Sequence, residues 1–336
     1  MTDSFVDLVD LACERFGGSV VASNDEFFAA KENLIKRDPP TWIEGKYTER
    51  GKWMDGWETR RRRGVTDDTH DWCILRLGAS GHVSGVNVDT TNFKGNYPAA
   101  CAIDVNDLSG VPSVDALLVA VWREILPRSP LRGDSPNLLS VDRAPLATHL
   151  RLRIYPDGGV ARLRVHGRVV ADWDTLRRRG DVDLAAAGHG GFVLACSDMF
   201  FGSRHNLIMP GDVTHMGDGW ETKRRRGPGH DWTIIRLAAR GTIRRMEVDT
   251  RHFKGNAPAA CSLDACAVDD ETVLLQAVDA DERRLWQQLL PPTALQPHAR
   301  HSFENEIRSF DGATHVRFSI YPDGGVGRVR VYGRPD

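Results

Sequence analysis

The chain has 336 residues, with 44 lysines and arginines against 46 aspartates and glutamates, and a sequence pI near 6.6. This balance argues against a surface built as a whole to bind nucleic acid or an anionic membrane. The length suits two domains of ordinary size.

The N-terminal segment carries acidic residues where a signal peptide needs basic ones, and no apolar run approaches the roughly 18 residues of a membrane span. Six cysteines, none in a CxxC pair, indicate buried free thiols rather than disulfides. We therefore expect a soluble cytoplasmic protein that partners neither membrane nor nucleic acid.

An internal repeat begins near the N-terminus, where residues 10–35 align without a gap on residues 183–208. Polar side chains that coincide in the two copies suit Asx turns, and they are Asp25 with Asp198 and Asn33 with Asn206.

The next repeated block is DGWETRRRR at 55–63, which returns as DGWETKRRR at 218–226. Before it, the first half carries ten more residues, because the alignment offset falls from 173 to 163. Surface loops tolerate such insertions. The aromatic residues of this longer loop, Trp42, Tyr47 and Trp53, suit a cover that excludes water from a site.

Farther along, alternating apolar and polar residues predict a half-buried strand that ends in VDTTNFKGN at 88–96 and VDTRHFKGN at 248–256. Each half then ends with Tyr-Pro-Asp-Gly-Gly between two segments in which apolar and polar residues alternate. This pattern predicts a β-hairpin. The arginines after this turn are expected on a solvated face, at positions 162, 164, 328 and 330.

Helix signals are sparse, and short strands separated by Gly, Pro and Asp turns predict an all-β fold with an antiparallel sandwich in each half. The polar segment 169–183 separates the repeats. We place the boundary near Asp172, so that the repeats are residues 1–172 and 173–336.

The Glu of DGWET and the Asp and Lys of VDTxxFKGN are the candidates for acid/base catalysis, because a carboxylate activates water and a lysine stabilises developing negative charge. An ion pair that holds loops together is the structural alternative. The candidates are Glu58, Glu221, Asp89, Asp249, Lys94 and Lys254.

The arginine runs lack the interleaved aromatics and motifs of a nucleic-acid site, whereas the planar guanidinium suits a carboxylate. No histidine or cysteine set has metal-ligand spacing, so we expect no tightly bound metal or cofactor, although a site assembled from distant positions stays open.

With DGWETRRRR, HDW, VDTTNFKGN and YPDGGV in one half and DGWETKRRR, HDW, VDTRHFKGN and YPDGGV in the other, the chain resembles the allantoicase family over essentially its whole length. The resemblance implies two tandem jelly-roll modules similar to galactose-binding domains. It also implies a homo-oligomeric hydrolase of linear amidines that converts allantoate to (S)-ureidoglycolate and urea in purine breakdown.

Allantoate carries one carboxylate and two ureido groups on a single carbon. Arginine suits the carboxylate and asparagine suits a ureido amide, and either direct displacement or loss of urea followed by hydration fits. The substrate-binding candidates are Arg60, Arg61, Arg224, Arg225, Arg251, Asn96 and Asn256. A tandem carbohydrate-binding protein is the alternative, but the shared loop residues are mostly ionic.

The two FKGN loops differ, since Thr91, Asn92 and Tyr97 of the first become Arg251, His252 and Ala257 in the second. His252, a further catalytic candidate, adds a side chain of a type that titrates near neutrality, and Arg251 adds a fixed cation, which favours the second loop. The longer aromatic loop favours the first half. We expect one composite or dominant site rather than two equal ones.

Overall fold

The structure is a computed structural model that describes residues 5–108, 110–276 and 285–336. The chain divides into two compact units, of which the first ends at Val170 and the second begins at Ala171. Within the described residues, the strands of both units pair antiparallel.

The first unit consists mainly of strands, with short helices between them. In chain order, the strands are β1 (Val9–Asp10), β2 (Ser19–Ser23), β3 (Tyr47–Thr48), β4 (Gly51–Lys52), β5 (Trp57–Glu58), β6 (Asp71–Asp89), β7 (Ala100–Asn106), β8 (Arg123–Pro130), β9 (Leu138–Ser140), β10 (Leu146–Tyr155), β11 (Gly159–Val160) and β12 (Arg162–Val169). The helices are α1 (Val114–Val119) and 3-10 helices at Phe5–Asp7, Glu14–Phe16 and Lys31–Ile35.

The long strand β6 serves both sheets of the first sandwich. Its residues 71–76 pair with β2 and β10, and β10 continues to β7 and β8. From Gly81 onward, β6 pairs with β12 and β9, and at Gly81 and His82 it also pairs with the start of β10. Strand β12 continues to β1. Alternate residues of these strands are fully buried, including Val86, Leu152 and Leu163, so the core lies between the two sheets.

The second unit repeats this arrangement. Its strands are β13 (Val182–Asp183), β14 (Phe192–Cys196), β15 (Trp220–Glu221), β16 (Asp231–Asp249), β17 (Ala260–Cys266), β18 (Gln287–Ala294), β19 (Arg300–Phe303), β20 (Ala313–Tyr321), β21 (Gly325–Val326) and β22 (Arg328–Pro335). Its helices are α2 (Trp173–Arg178), α3 (Glu271–Gln276) and 3-10 helices at Ala187–His189, Arg204–Ile208 and Met216–Asp218.

The strand order β13-β22-β16-β20-β17-β18 of the second unit reproduces β1-β12-β6-β10-β7-β8 of the first. Two tandem antiparallel jelly-roll sandwiches therefore confirm the predicted all-β class and internal repeat. The small β3–β4 hairpin lies in the longer loop of the first half, and it is the main addition to the shared plan.

The predicted hairpin at Tyr-Pro-Asp-Gly-Gly is wrong. Its flanking strands β10 and β12 do not pair with each other, because β6 lies between them and pairs with both. The segment instead crosses from one side of β6 to the other, and its strand β11 pairs with β5 of DGWET. The alternation of apolar and polar residues identifies strands, but it does not identify the strands with which they pair.

The predicted solvated face of arginines is also wrong, because Arg162 is 2% exposed and Arg328 is 3% exposed. The Arg162 guanidinium reaches Asp55 of DGWET, with Nη2 2.7 Å from Oδ2. In the second unit, Arg328 Nη1 donates to the Asp218 carbonyl at 2.7 Å. The DGWET segment thus covers the face of the strand that carries Arg162 or Arg328, and it buries these side chains.

All six cysteines are free and five of them are buried, which confirms the thiol prediction. Within the described ranges, no helix combines the length and the apolar character that crossing a membrane requires.

Candidate active site

The two repeated motifs meet at a carboxylate–amide pair. Glu58 lies on β5, and the Asn96 side chain at the end of FKGN donates to Glu58 Oε1 at 2.7 Å. The second unit repeats the contact between Asn256 and Glu221 at 2.6 Å. Residues 38 positions apart are therefore brought together in the first unit by the fold.

The FKGN loop is anchored by its phenylalanine and by the crossover segment. Phe93 is fully buried, and a Cβ on Gly159 would lie 1.9 Å from its ring. Gly159 N donates to the Asn96 carbonyl at 2.7 Å. Only glycine permits so close an approach, so the Gly-Gly pair holds the backbone of Asn96 beside Glu58.

The DGWET strand is anchored from the other side. Trp57 is fully buried, and its indole nitrogen donates to the Asp25 carbonyl at 2.8 Å. The Asp25 carboxylate accepts from the backbone of Phe27 and Arg60, as expected for an Asx turn. Asn33 donates to the Gly56 carbonyl at 2.9 Å, so it also has a turn-fixing role.

In the first unit, the Glu58–Asn96 pair lies in a cavity of ≈620 Å³. The insertion contributes Trp42 and Lys52, whose ammonium lies 4.1 Å from the Trp42 ring centroid. Tyr47, by contrast, is 69% exposed. The lining residues are Phe28, Trp42, Lys52, Met54, Glu58, Arg61, Asn92, Lys94, Gly95 and Asn96.

Glu58 is only 9% exposed, and burial raises the pKa of its carboxyl. The hydrogen bond from Asn96 favours the ionised form and lowers the pKa in part. A buried carboxyl with a raised pKa, in a cavity that cationic side chains also line, suits proton transfer.

Comparison with known proteins identifies the family. A family model described as the allantoicase repeat matches residues 9–170 and again residues 182–336. The chain belongs to the allantoicase family. A "Probable allantoicase" of Pseudomonas paraeruginosa is 45% identical over 331 residues, which cover 98% of this chain and 97% of that protein.

A "Probable allantoicase" of Ralstonia nicotianae is 46% identical over 327 residues, which cover 96% of this chain and 94% of that protein. The crystal structure of allantoicase from Saccharomyces cerevisiae aligns with a TM-score of 0.78 at 34% identity, and it covers 97% of this chain and 92% of its own. The allantoicase assignment favours a hydrolase over the carbohydrate-binding alternative.

The two allantoicase repeats differ in what lies over the glutamate. In the second repeat, Met216 of a short 3-10 helix replaces the insertion, and its sulfur lies 3.9 Å from Asn256 Nδ2. Glu221 is more exposed than Glu58. The second pair therefore lacks the aromatic and cationic side chains that the insertion brings to the first.

Most of the predicted arginines are engaged elsewhere. Arg60 pairs with Asp25 at 3.1 Å, and Arg225 pairs with the buried Asp231. Arg224 is exposed. Arg61 is exposed like Arg224 and, among the described residues, likewise makes no ion pair, but it lines the Glu58 cavity.

Asp89 and Asp249 fix the base of the FKGN loop. Asp89 Oδ1 accepts from the Thr91 backbone at 2.9 Å. Asp249 is 6% exposed and accepts from the Arg251 guanidinium at 2.7 Å. Burial alone would raise the pKa of Asp249, but the hydrogen bonds of Arg251 hold it below its ordinary value. Asp249 therefore stays ionised and paired.

His252 also faces the loop base, since its Nε2 lies 3.1 Å from the Val213 carbonyl and its backbone donates to His298. None of the described contacts of Arg251 or His252 reaches Glu221. The geometry therefore removes the reason for favouring the second loop.

The two lysines are both exposed, but their surroundings differ. Lys94 lines the Glu58 cavity and lies 3.9 Å from Asp134.

Among the residues that the structure describes, no group of three or more His, Cys, Asp and Glu side chains is placed to hold a metal ion.

Proposed function

We propose that this chain hydrolyses allantoate to ureidoglycolate and urea, and that the Glu58 cavity is the working site. The observation that carries the proposal is a buried carboxyl of raised pKa in a ≈620 Å³ cavity that also presents Arg61 and Lys94. The family assignment supplies the substrate class.

The cavity matches the parts of allantoate. Arg61 and Lys94 supply positive charge for the carboxylate, and the Arg61 guanidinium has the geometry for two parallel hydrogen bonds. The Asn96 amide orients the Glu58 carboxylate and presents its remaining polar groups to a ureido group. Trp42 and Phe28 restrict the access of bulk water.

Glu58 serves as the acid/base group. In its ionised form it takes a proton from water, whose oxygen forms the new bond to the central carbon. The bond from that carbon to one ureido nitrogen breaks, and the proton passes to this nitrogen, which gives urea. Glu58 is then ionised again, and both direct displacement and urea loss through an imine retain this balance.

The second repeat serves mainly as scaffold under this proposal. Met216 lies against Asn256, and Arg251 is paired with Asp249. One dominant site in the first unit therefore fits the geometry better than two equal sites.

The deciding experiment is urea release on addition of allantoate to the full chain, with Glu58→Gln and Glu221→Gln in parallel. The proposal expects release by the parent chain and by Glu221→Gln, and its near loss in Glu58→Gln. A folded parent chain that releases no urea would refute the proposed activity. Glycan binding without urea release would restore the carbohydrate-binding alternative.

A cytoplasmic homo-oligomer acting in purine catabolism is the setting we infer. The six free cysteines suit a reducing compartment. The exposed edge-to-face pair Phe200–Phe201, 72% and 63% exposed, suits a contact between copies of the chain. Light scattering of the purified chain, with Phe201→Ser as the variant, tests the oligomer.

A further inference from the structure

The outer faces of the two strand pairs β7–β10 and β17–β20 share a framework. In the first unit, Arg151 pairs with Asp104 across the strands, and in the second Arg317 pairs with Asp264. Each of these arginines stacks over a tryptophan, Trp122 or Trp286. Each framework is closed by a tyrosine and a histidine whose rings adjoin, and these are Tyr155 with His70 and Tyr321 with His230.

In the first unit, the guanidinium of Arg153 fills the space between these walls. It donates to Asp104 at 2.8 and 2.9 Å, to Glu124 at 2.7 Å and to the Tyr155 hydroxyl at 2.7 Å. A planar N–C–N group thus occupies this position and satisfies three separate partners.

In the second unit, the strand register places Ser319 where Arg153 stands and Gln288 where Glu124 stands. A cavity of ≈460 Å³ takes the place of the guanidinium. It is lined by His230, Ser262, Asp264, Trp286, Gln288, Arg317, Ser319 and Tyr321.

The lining offers partners to a ligand. Both hydrogen bonds that Asp264 accepts from described residues fall on Oδ2, which leaves Oδ1 for another donor. The Tyr321 hydroxyl, without an arginine, bonds to Ser262 at 3.0 Å. Asp264 is 8% exposed, so a donor that reaches it is largely shielded from water.

We propose that this second-unit cavity binds a neutral ureido group, as in urea or an N-alkylurea, in the position that Arg153 occupies in the first unit. The exchange of Arg153 and Glu124 for Ser319 and Gln288 removes one cation and one anion together. The charges of Asp264 and Arg317 already neutralise each other. A guanidinium ligand would therefore bring a buried positive charge with no carboxylate to pair with it, which disfavours such a ligand.

The ureido N–H groups donate to Asp264 and to the Gln288 carbonyl, and the ureido oxygen accepts from a hydroxyl of Ser262 or Tyr321. This site does not involve Glu58, so ureido binding here does not depend on the proposed hydrolysis.

The test is a saturation-transfer NMR titration of the full chain with methylurea, whose methyl protons report binding. We expect two saturable events, one abolished by Asn96→Ala at the Glu58 cavity and one weakened by Ser319→Arg combined with Gln288→Glu. The double variant rebuilds the first-unit arrangement, and it weakens the second event by about tenfold or more because its own guanidinium takes the ligand's hydrogen bonds.

Two further arms keep the test decisive. Ser319→Leu fills the cavity without adding charge and also removes the second event, which covers a double variant that misfolds. Urea competes with methylurea at lower concentration than guanidinium chloride does. Methylurea binding that Asn96→Ala abolishes entirely, or that survives both cavity-filling changes, overturns the site. Stronger competition by guanidinium overturns the neutral ligand class.

Discussion

The first and second units hold the same pair of a strand glutamate and a loop asparagine, but they cover it differently. In the first, ten additional residues bring Trp42 and Lys52 over Glu58 and form a cavity. In the second, a short 3-10 helix brings Met216 against Asn256. A repeated scaffold therefore preserves the position of a side chain, whereas the chemistry available to it depends on the loop that covers it.

The scaffold below the pair differs much less. Phe93 and Phe253 are both fully buried, and each lies where a Cβ on the facing glycine would collide with its ring, 1.9 Å away at Gly159 and 2.0 Å away at Gly325. Substitutions in the scaffold should thus affect both units alike, and substitutions at the site should not.

The largest expected difference concerns the two glutamates. Glu58→Gln removes the proton acceptor and should lower kcat by about 10²–10⁴-fold, whereas Glu221→Gln should leave it within about twofold. Steady-state urea release measures both. Equal losses in the two variants would show that the units work as equivalent sites.

The next largest effect tests whether the scaffold is shared. Asp55→Asn leaves the buried Arg162 guanidinium without its counter-charge and should lower the free energy of unfolding by roughly 3–5 kcal/mol. Asp218→Asn should destabilise the second unit in the same direction, because the Asp218 carboxylate accepts from Thr214 and the Asp218 carbonyl accepts from the buried Arg328. Urea unfolding followed by fluorescence measures both changes.

The pH dependence of the Asp55 contribution follows from its pKa. Although burial opposes the shift, the hydrogen bond of Arg162 lowers the pKa of Asp55 below its ordinary value of 3.8. The stabilisation is therefore present above pH 3.8 and is lost as the pH falls through the lowered pKa. If Asp55→Asn is as stable as the parent at neutral pH, the pair does not hold DGWET in place.

A smaller effect is expected at the lysines of FKGN. Lys94→Ala removes a cation from the cavity and should raise KM by about tenfold, and Lys254→Ala should leave kinetics unchanged. Two equal, independent sites predict instead that each variant keeps about half of the turnover with unchanged substrate affinity. That pattern, with both variants folded, would contradict a single dominant site.

The smallest effect concerns the acidic limb of the pH profile. As a base, Glu58 must be ionised, so kcat/KM rises as pH increases through its pKa, which burial places above the ordinary 4.5. Asn96→Ala removes a bond to the ionised form, so the pKa rises further and the limb moves to higher pH. Asn256→Ala is the matched control, and a limb that it moves while Asn96→Ala does not would place the reporting carboxyl in the second unit.

Several features of the fold and site were predictable from the sequence. The strands of β6, β10 and β12 follow from period two, and the Asx turn at Asp25 follows from residue type. Repetition of one Glu and one Asn in both halves marked the pair that the structure brings together. These signals are local or come from internal comparison, and neither requires knowledge of strand partners.

The rest depended on partners that are remote in sequence. The crossover at Tyr-Pro-Asp-Gly-Gly looks like a hairpin until β10 and β12 are placed on opposite sides of β6. Arg162 looks solvated until Asp55, 107 positions away, covers it. Likewise, Arg225 and Arg251 read as substrate ligands, but nearby aspartates engage them.

By itself, the sequence determined the two repeats, their all-β class, the family resemblance and the short set of polar side chains that includes Glu58 and Asn96. Only the tertiary structure decided which of two matching glutamates lies in a cavity, and which arginines remain available to a ligand. The physical reason is that burial and ion pairing depend on how distant segments cover one another. Two nearly identical motifs therefore have different surroundings, because the insertion that covers one of them lies outside both motifs.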